Sequence, residues 1–207
     1  WNVYNDLNQF SIGFPTFKRD ESRLGRPVAT EHTMYSTTSQ LWAVGAKRGL
    51  TNRDKAGDEW DSEFVKYSFK DDVALADRPV AQKVAVEFWS SQPNYAVTWN
   101  YDRVSNTYLR ANAGKVHMDN NTKKQFAPKN VVILYMKEGR ANDGYEGNLH
   151  EIFGTKGTGR AVVFQDGEEI AAIWKKKDRE GRTVIVNSKT GREIEFNRGQ
   201  IWFQIVP

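Results

Sequence analysis

Arg160-Ala161-Val162-Val163-Phe164-Gln165-Asp166-Gly167-Glu168-Glu169-Ile170-Ala171-Ala172-Ile173-Trp174 is the stretch on which the fold turns. Two runs of strand length flank Asp166-Gly167, a residue pair well suited to a two-residue hairpin turn because both of its members tolerate positive φ. Arg160 to Gln165 and Glu168 to Trp174 therefore read as antiparallel neighbours. Downstream, Thr183 to Asn187 and Glu193 to Asn197 flank Ser188-Lys189-Thr190-Gly191. Gln200 to Val206 then alternates, with Ile201, Phe203 and Ile205 on one side and Trp202, Gln204 and Val206 on the other. The final third reads as a meander.

Upstream the same period of two recurs. Phe64 to Lys70 alternates, as do residues 83–89 and 94–101, which Ser90-Ser91-Gln92-Pro93 joins as a hairpin. Tyr95, Val97, Trp99 and Tyr101 share one face. Tyr108 to Ala111 and Lys115 to Met118 flank a tight turn at Asn112-Ala113-Gly114. Asn130 to Met136 is an apolar run expected to be buried on both faces. One helix is expected, over about 37–48. Ser36-Thr37-Thr38-Ser39 offers N-caps, Leu41, Trp42 and Val44 open an apolar face, and Gly49 ends it. Residues 1–35 are irregular, and 51–62 are a polar loop. The fold class is α+β, predominantly antiparallel β, as a curled sheet, sandwich or partly open barrel. The expected division is 1–62, the end of an N-terminal domain, and 63–207, a β-rich C-terminal domain.

Composition narrows the function classes. The 207 residues are 39% hydrophobic and 27% charged, enough apolar residue for a core. Seven Trp, eight Tyr and eleven Phe suit strands and also carbohydrate or peptide clefts. Net charge is +4, with 12 basic and 13 acidic residues in 1–100 and 18 and 13 in 101–207. That excess is weak for a nucleic-acid binder, even with Lys175, Lys176, Lys177, Arg179 and Arg182 clustered. The absence of Cys excludes disulfides and thiolate metal sites. No apolar run approaches membrane-spanning length. The chain opens at Trp1 rather than Met, so residues are expected to precede it.

The most informative polar constellation is Tyr108-x-Arg110 followed by Gly114-x-x-His117-x-Asp119. Alternation puts Tyr108 with Arg110, and His117 with Asp119, on one face of a hairpin. That set suits anion binding, or a His oriented as general base; a cross-strand ion pair is the structural alternative. Leu109, Val116 and Met118 would then face the core. His32, His117 and His150 lack zinc-motif spacing, so no metal and no cofactor is expected. Gly154-Thr155-Lys156-Gly157-Thr158-Gly159-Arg160 precedes a strand rather than a helix. It reads as a flexible turn, with an anion-binding nest as the alternative. No nucleophile motif is present.

Four ordered stretches carry a family likeness. They are Phe17-Lys18-Arg19-Asp20 with Glu31-His32-Thr33-Met34-Tyr35-Ser36-Thr37-Thr38 and Leu41-Trp42; Val97-x-Trp99-x-Tyr101-Asp102 with Tyr108-Leu109-Arg110; Gly114-x-x-His117-x-Asp119 with Lys129-Asn130-Val131-Val132; and Gly157-x-Gly159-Arg160-Ala161 with Trp174 and Gly199-Gln200-Ile201-Trp202. Together they resemble the C-terminal domain of the YerB-like bacterial lipoproteins, plus the end of their N-terminal domain. The resemblance implies an exported protein, held at the membrane by a lipid on an upstream Cys. No reaction comes with it. The expected function is a binding or scaffolding domain at the cell surface, taking a cell-wall polymer or another envelope protein. Its candidate surface carries Tyr108, Arg110, His117 and Asp119, with Arg19, Asp20 and His32 if the chain folds back there. The alternative is a cell-wall-directed hydrolase or transferase, with His117 as base, Asp119 orienting it and Arg110 stabilising an anion.

Overall fold

The structure is a computed structural model that describes residues 13–54, 56–144, 147, 150–179 and 181–207. The chain divides into two compact units, one ending at Phe64 and the other spanning Val65–Pro207. In the first, β1 (Lys18–Arg19) pairs antiparallel with β2 (Met34–Tyr35), and α1 spans Thr38–Lys47. Thr37 is the N-cap, its hydroxyl accepting from the Gln40 amide at 3.2 Å. At the other end Gly49 takes φ +67°, the left-handed region. The Leu50 amide then reaches the Gly45 carbonyl at 2.9 Å and the Gly49 amide reaches Ala46 at 3.1 Å, the bonding pattern of a Schellman cap. The expected apolar face does not form: no described helix residue is buried, and Trp42 is 78% exposed. Leu41 and Trp42 are successive residues, about 100° apart around the helix, so they cannot line one stripe with Val44.

The second unit is built from two open sheets. The larger contains β8 (Asn130–Tyr135), β11 (Gly157–Gln165), β12 (Glu168–Lys176), β13 (Val184–Asn187) and β15 (Ile201–Val206), in the order β13-β12-β11-β8-β15. The β11–β12 hairpin closes at Gln165↔Glu168. Asp166 and Gly167 at φ +54° and +77° complete the turn that their residue types demand. The smaller sheet orders β4 (Lys83–Val86), β5 (Val97–Asp102), β6 (Thr107–Asn112) and β7 (Lys115–Val116) as antiparallel neighbours. Two short hairpin and bridge pairs complete the unit. β9 (Glu138–Arg140) pairs with β10 (Glu151–Phe153), and β3 (Phe69–Lys70) pairs in parallel with β14 (Phe196–Asn197).

The larger sheet is covered on both faces. Val132, Leu134, Ala161, Val163, Ala172, Trp174 and Ile185 point to one core, which Phe196 and Ile194 close. Val131, Ile133, Phe164 and Val206 point to the other, where they meet Val84, Val97, Trp99, Tyr101 and Tyr108 of the smaller sheet. The continuous apolar run of β8 follows directly from this: every second residue belongs to a different core. The architecture is thus sandwich-like, with open edges and no closed barrel among the described residues.

Several expected boundaries shift for physical reasons. Residues 64–68 alternate but are not strand. A strand needs a hydrogen-bonded neighbour, and β14 offers one only from Ser68, whose carbonyl accepts from Phe196. Phe64 and Val65 stay exposed. β4 stops at Val86, and Pro93–Tyr95 is a 3-10 turn, since Pro93 has no amide to donate to a ladder. Gly157–Arg160 belongs to β11 rather than to a turn or nest. Gly159 is there for close approach: a Cβ would lie 2.5 Å from Nε1 of Trp174. That indole crosses the strand and donates to the Tyr135 carbonyl at 2.8 Å.

Candidate functional site

The β6–β7 hairpin turns at Ala113 and Gly114, both at positive φ, with Asn112↔Lys115 and Ala111↔Val116 in register. One step further, the His117 amide donates to the Arg110 carbonyl at 3.0 Å, so Arg110 and His117 stand opposite each other. Their side chains meet: Arg110 Nη1 donates to His117 Nδ1. The sequence brings this pair together as expected. It places the pair on the opposite face from the one expected. Arg110 is 6% exposed, whereas Val116 is 59% and Met118 46% exposed. The parity of β6 decides this. Tyr108 and Arg110 share the face of Trp99 and Tyr101, and that face is the core.

Arg110 lies in an aromatic cage. Its guanidinium carbon is 4.5 Å from the Trp202 ring centroid and 5.5 Å from that of Trp99, its cross-strand partner. Phe126 lies 4.7 Å from the His117 ring and 5.6 Å from Trp202. β7 and β15 are edge strands of their sheets, so the cage occupies an open side of the sandwich. Among the described residues no carboxylate bonds Arg110. Of its guanidinium nitrogens, Nη1 holds His117 and Nε is buried without a partner, as is Nε1 of Trp99. Burial pulls the guanidinium below its ordinary value.

The pairing fixes the chemistry of His117. An arginine has no acceptor, so Nδ1 must accept, and the neutral ring carries its proton on Nε2. Burial first, and the neighbouring Arg110 charge second, push the His117 pKa below 6.5. Such a ring has no free lone pair with which to act as base. Asp119 is committed elsewhere. Its carboxylate accepts from the Asn121 amide at 3.0 Å and from Oγ1 of Thr122 at 2.7 Å, bracing the turn after β7. The expected His117–Asp119 pairing is therefore replaced by an Asx turn, a local bond that a short Asp side chain makes readily. Tyr108 leaves the candidate surface altogether. It is fully buried, accepting from the Gly167 amide at 3.0 Å and reaching Gln82 Oε1 at 3.1 Å.

Arg19, Asp20 and His32 belong to the unit ending at Phe64. There Arg19 donates to the Thr30 carbonyl, Asp20 accepts from Ser22 Oγ at 2.8 Å, and His32 lies exposed in a 3-10 turn. His150 pairs with Asp143 at 2.6 Å. In the basic stretch, Arg182 is paired with Glu193 at 2.7 Å and Lys176 donates to the Gly181 carbonyl.

A second polar group escaped the sequence reading. The Asp166 carboxylate, at the β11–β12 turn, accepts from Asn106 Nδ2 at 2.8 Å, the Val73 amide at 3.2 Å, Lys70 and Asn197. Tyr101 in turn donates to Asn106 at 2.8 Å. Every oxygen of this carboxylate is engaged, which makes the group a tertiary clasp. Its only signal in the sequence is the Asp-Gly turn, which accounts for Asp166 without needing any distant partner.

A lowered histidine pKa has a readable consequence. Between the folded pKa and the ordinary 6.5, the unfolded chain binds a proton that the folded chain refuses. Stability should therefore fall as pH drops through that window and level off below it. Urea midpoints measured from pH 7.5 to 5 should show this slope in the wild-type protein and a shallower one in His117→Gln. Identical slopes would contradict the assigned protonation.

Comparison with known proteins adds a family. Residues 84–203 match the family described as "Protein of unknown function (DUF3048) C-terminal domain". The protein "Putative lipoprotein YerB" of Bacillus subtilis is 28% identical over 130 residues, covering 60% of this chain and 35% of that one. The crystal structure of YerB from Bacillus subtilis superimposes with a TM-score of 0.73 at 20% identity, over 100% of this chain and 65% of that one. The fold is shared, and the chain spans only part of the length of these relatives.

Proposed function

The chain belongs to the DUF3048 family, and on that premise we propose that it is a noncatalytic binding or scaffolding domain of a bacterial envelope lipoprotein. The observation that carries this reading is the state of the Arg110–His117 pair. A general base needs a free lone pair aimed at substrate. The His117 lone pair is spent on Arg110, and Asp119 holds a turn instead of orienting the ring. The cluster presents a cation and an N–H donor among rings, which is the composition of a recognition site. The surface at this open side of the sandwich is where a cell-wall polymer or another envelope protein would dock. Lipid attachment upstream, as the name of the relative indicates for that protein, would hold the domain at the membrane. Among the described residues no helix is long and apolar enough to cross one.

Purified Bacillus subtilis cell walls test the proposal. The protein should co-sediment with them, and no soluble reducing ends or free amino groups should accumulate over hours. Release of such products, abolished in His117→Gln, would replace binding with hydrolysis. Protein that stays in the supernatant would remove the cell wall as partner.

A further inference from the structure

Arg110 presents an unbalanced charge. It is nine-tenths buried, and a buried guanidinium ordinarily meets a carboxylate, because removing an unpaired cation from water is costly. Here the neighbours are Trp99, Trp202, Phe126 and a neutral His117. Cation–π contact offsets only part of that cost. Nη1 is bonded and Nε is occluded, which leaves Nη2 as the guanidinium nitrogen that is neither bonded nor sealed off. His117 is half-buried and carries its one ring N–H, at Nε2, on the side of the ring away from Arg110. One permanent cation, one neutral N–H donor and two half-buried rings, Phe126 and Trp202, stand together at an open edge. We propose that this cage is a binding site for an organic monocarboxylate, the carboxylate pairing with Arg110 through Nη2 and its apolar neighbour lying on Phe126 and Trp202.

Charge count selects the ligand class. A single guanidinium balances one negative charge, and a planar carboxylate matches its geometry. A phosphate dianion would need a second cation, and the residues that form the cage supply none. The aromatic walls favour a carboxylate attached to something apolar over a bare inorganic ion. The proposal deepens the binding reading above and rests on it, adding the chemistry of the group recognised. Two sources share this chemistry, the C-terminal carboxylate of a peptide and a free small carboxylic acid.

Isothermal titration calorimetry tests the site with four probes: N-acetyl-alanyl-alanine with a free carboxylate, its C-terminal amide, propionate and inorganic phosphate. The acid form is expected to bind about tenfold or more tightly than the amide, the difference that losing one charge-assisted contact makes. Propionate binding as well as the peptide acid assigns a free acid; the peptide acid binding better assigns a peptide terminus. Arg110→Met should lose the binding while its melting temperature stays equal or rises, because the variant removes an unpaired buried charge and keeps the volume. Equal binding of acid and amide, phosphate binding in preference to either, no binding of any carboxylate, or an Arg110→Met protein that binds like the wild type would each overturn the proposal. Cell-wall sedimentation keeps the two readings apart: walls that bind wild type and Arg110→Met alike leave the binding domain standing and remove only the carboxylate site.

Discussion

Asp166→Ala is expected to lower the unfolding free energy by about 3–5 kcal/mol, the loss that follows when one partner of a buried ionic network is removed. The reasoning is a count of donors. Asn106 and Asn197 are both fully buried, and each directs an amide N–H at this carboxylate. Lys70 and the Val73 amide complete the set. Alanine removes the acceptor and leaves the donors without water to replace it. The substitution also puts a Cβ-bearing residue without a polar side chain at φ +54°, where Asp is tolerated better. Equilibrium urea denaturation measures the effect, and Asp166→Asn, which keeps the turn preference, separates turn from network. An Asp166→Ala midpoint equal to wild type would mean that the clasp contributes nothing. The same carboxylate shapes the acid response. Burial alone would raise its pKa, but the bonds from Lys70, Asn106 and Asn197 outweigh that and hold it below 3.8. Its stabilisation is therefore complete above the unfolded carboxyl range and is lost as pH falls through the folded value.

Trp99→Ala should cost a similar amount, about 3–5 kcal/mol, as large-to-small changes of a buried Trp do. Trp99 is 0% exposed and stands in the core between the two sheets. Its ring faces Trp202 edge-on at 6.4 Å across that core and lies beside Arg110. Removing it opens a cavity and takes away one wall of the cage. The loss should therefore be non-additive with Arg110→Met, because the two residues share one contact. A double-mutant cycle by thermal or urea unfolding reads the coupling. Strict additivity would show that the ring and the guanidinium do not support each other.

Much of the smaller sheet's inner face is legible in the residue order. Val97, Trp99 and Tyr101 alternate with polar residues, and all three are buried. Tyr95 follows the same parity yet is 54% exposed, because Pro93 ends the ladder before it. The hairpin at Asn112-Ala113-Gly114 is also legible, but its register is not: Asn112 pairs with Lys115, which shortens the turn to Ala113-Gly114 and sets Arg110 opposite His117. Which face of that hairpin meets the core is not legible either. Leu109, Val116 and Met118 are the apolar choice, and local pattern favours them. The structure instead buries Tyr108 and Arg110, because β6 is locked to β5 through Tyr101↔Tyr108 and Trp99↔Arg110, and Trp99 dominates the core. The aromatic payload of β5 outweighs the smaller apolar residues of β7.

The residue order carries the local events: a cap within Ser36-Thr37-Thr38-Ser39 and the Gly49 stop of α1, the two-residue turn at Asp166-Gly167, a tight turn at Asn112-Ala113-Gly114, the period of two, and the double burial of β8. Each depends on backbone preferences or on alternation within a few residues, so each is written where it acts. The tertiary structure alone decided the rest. The last strand runs parallel to β8, with Ile201 beside Asn130, across a long connection that no local pattern records. Asp166 draws together Lys70, Asn106 and Asn197, and Trp202 arrives over Arg110 from the far end of the chain. Such partners are selected by which buried donors and cations lack an acceptor or a wall once the sheets have packed, and that condition exists only in the folded molecule.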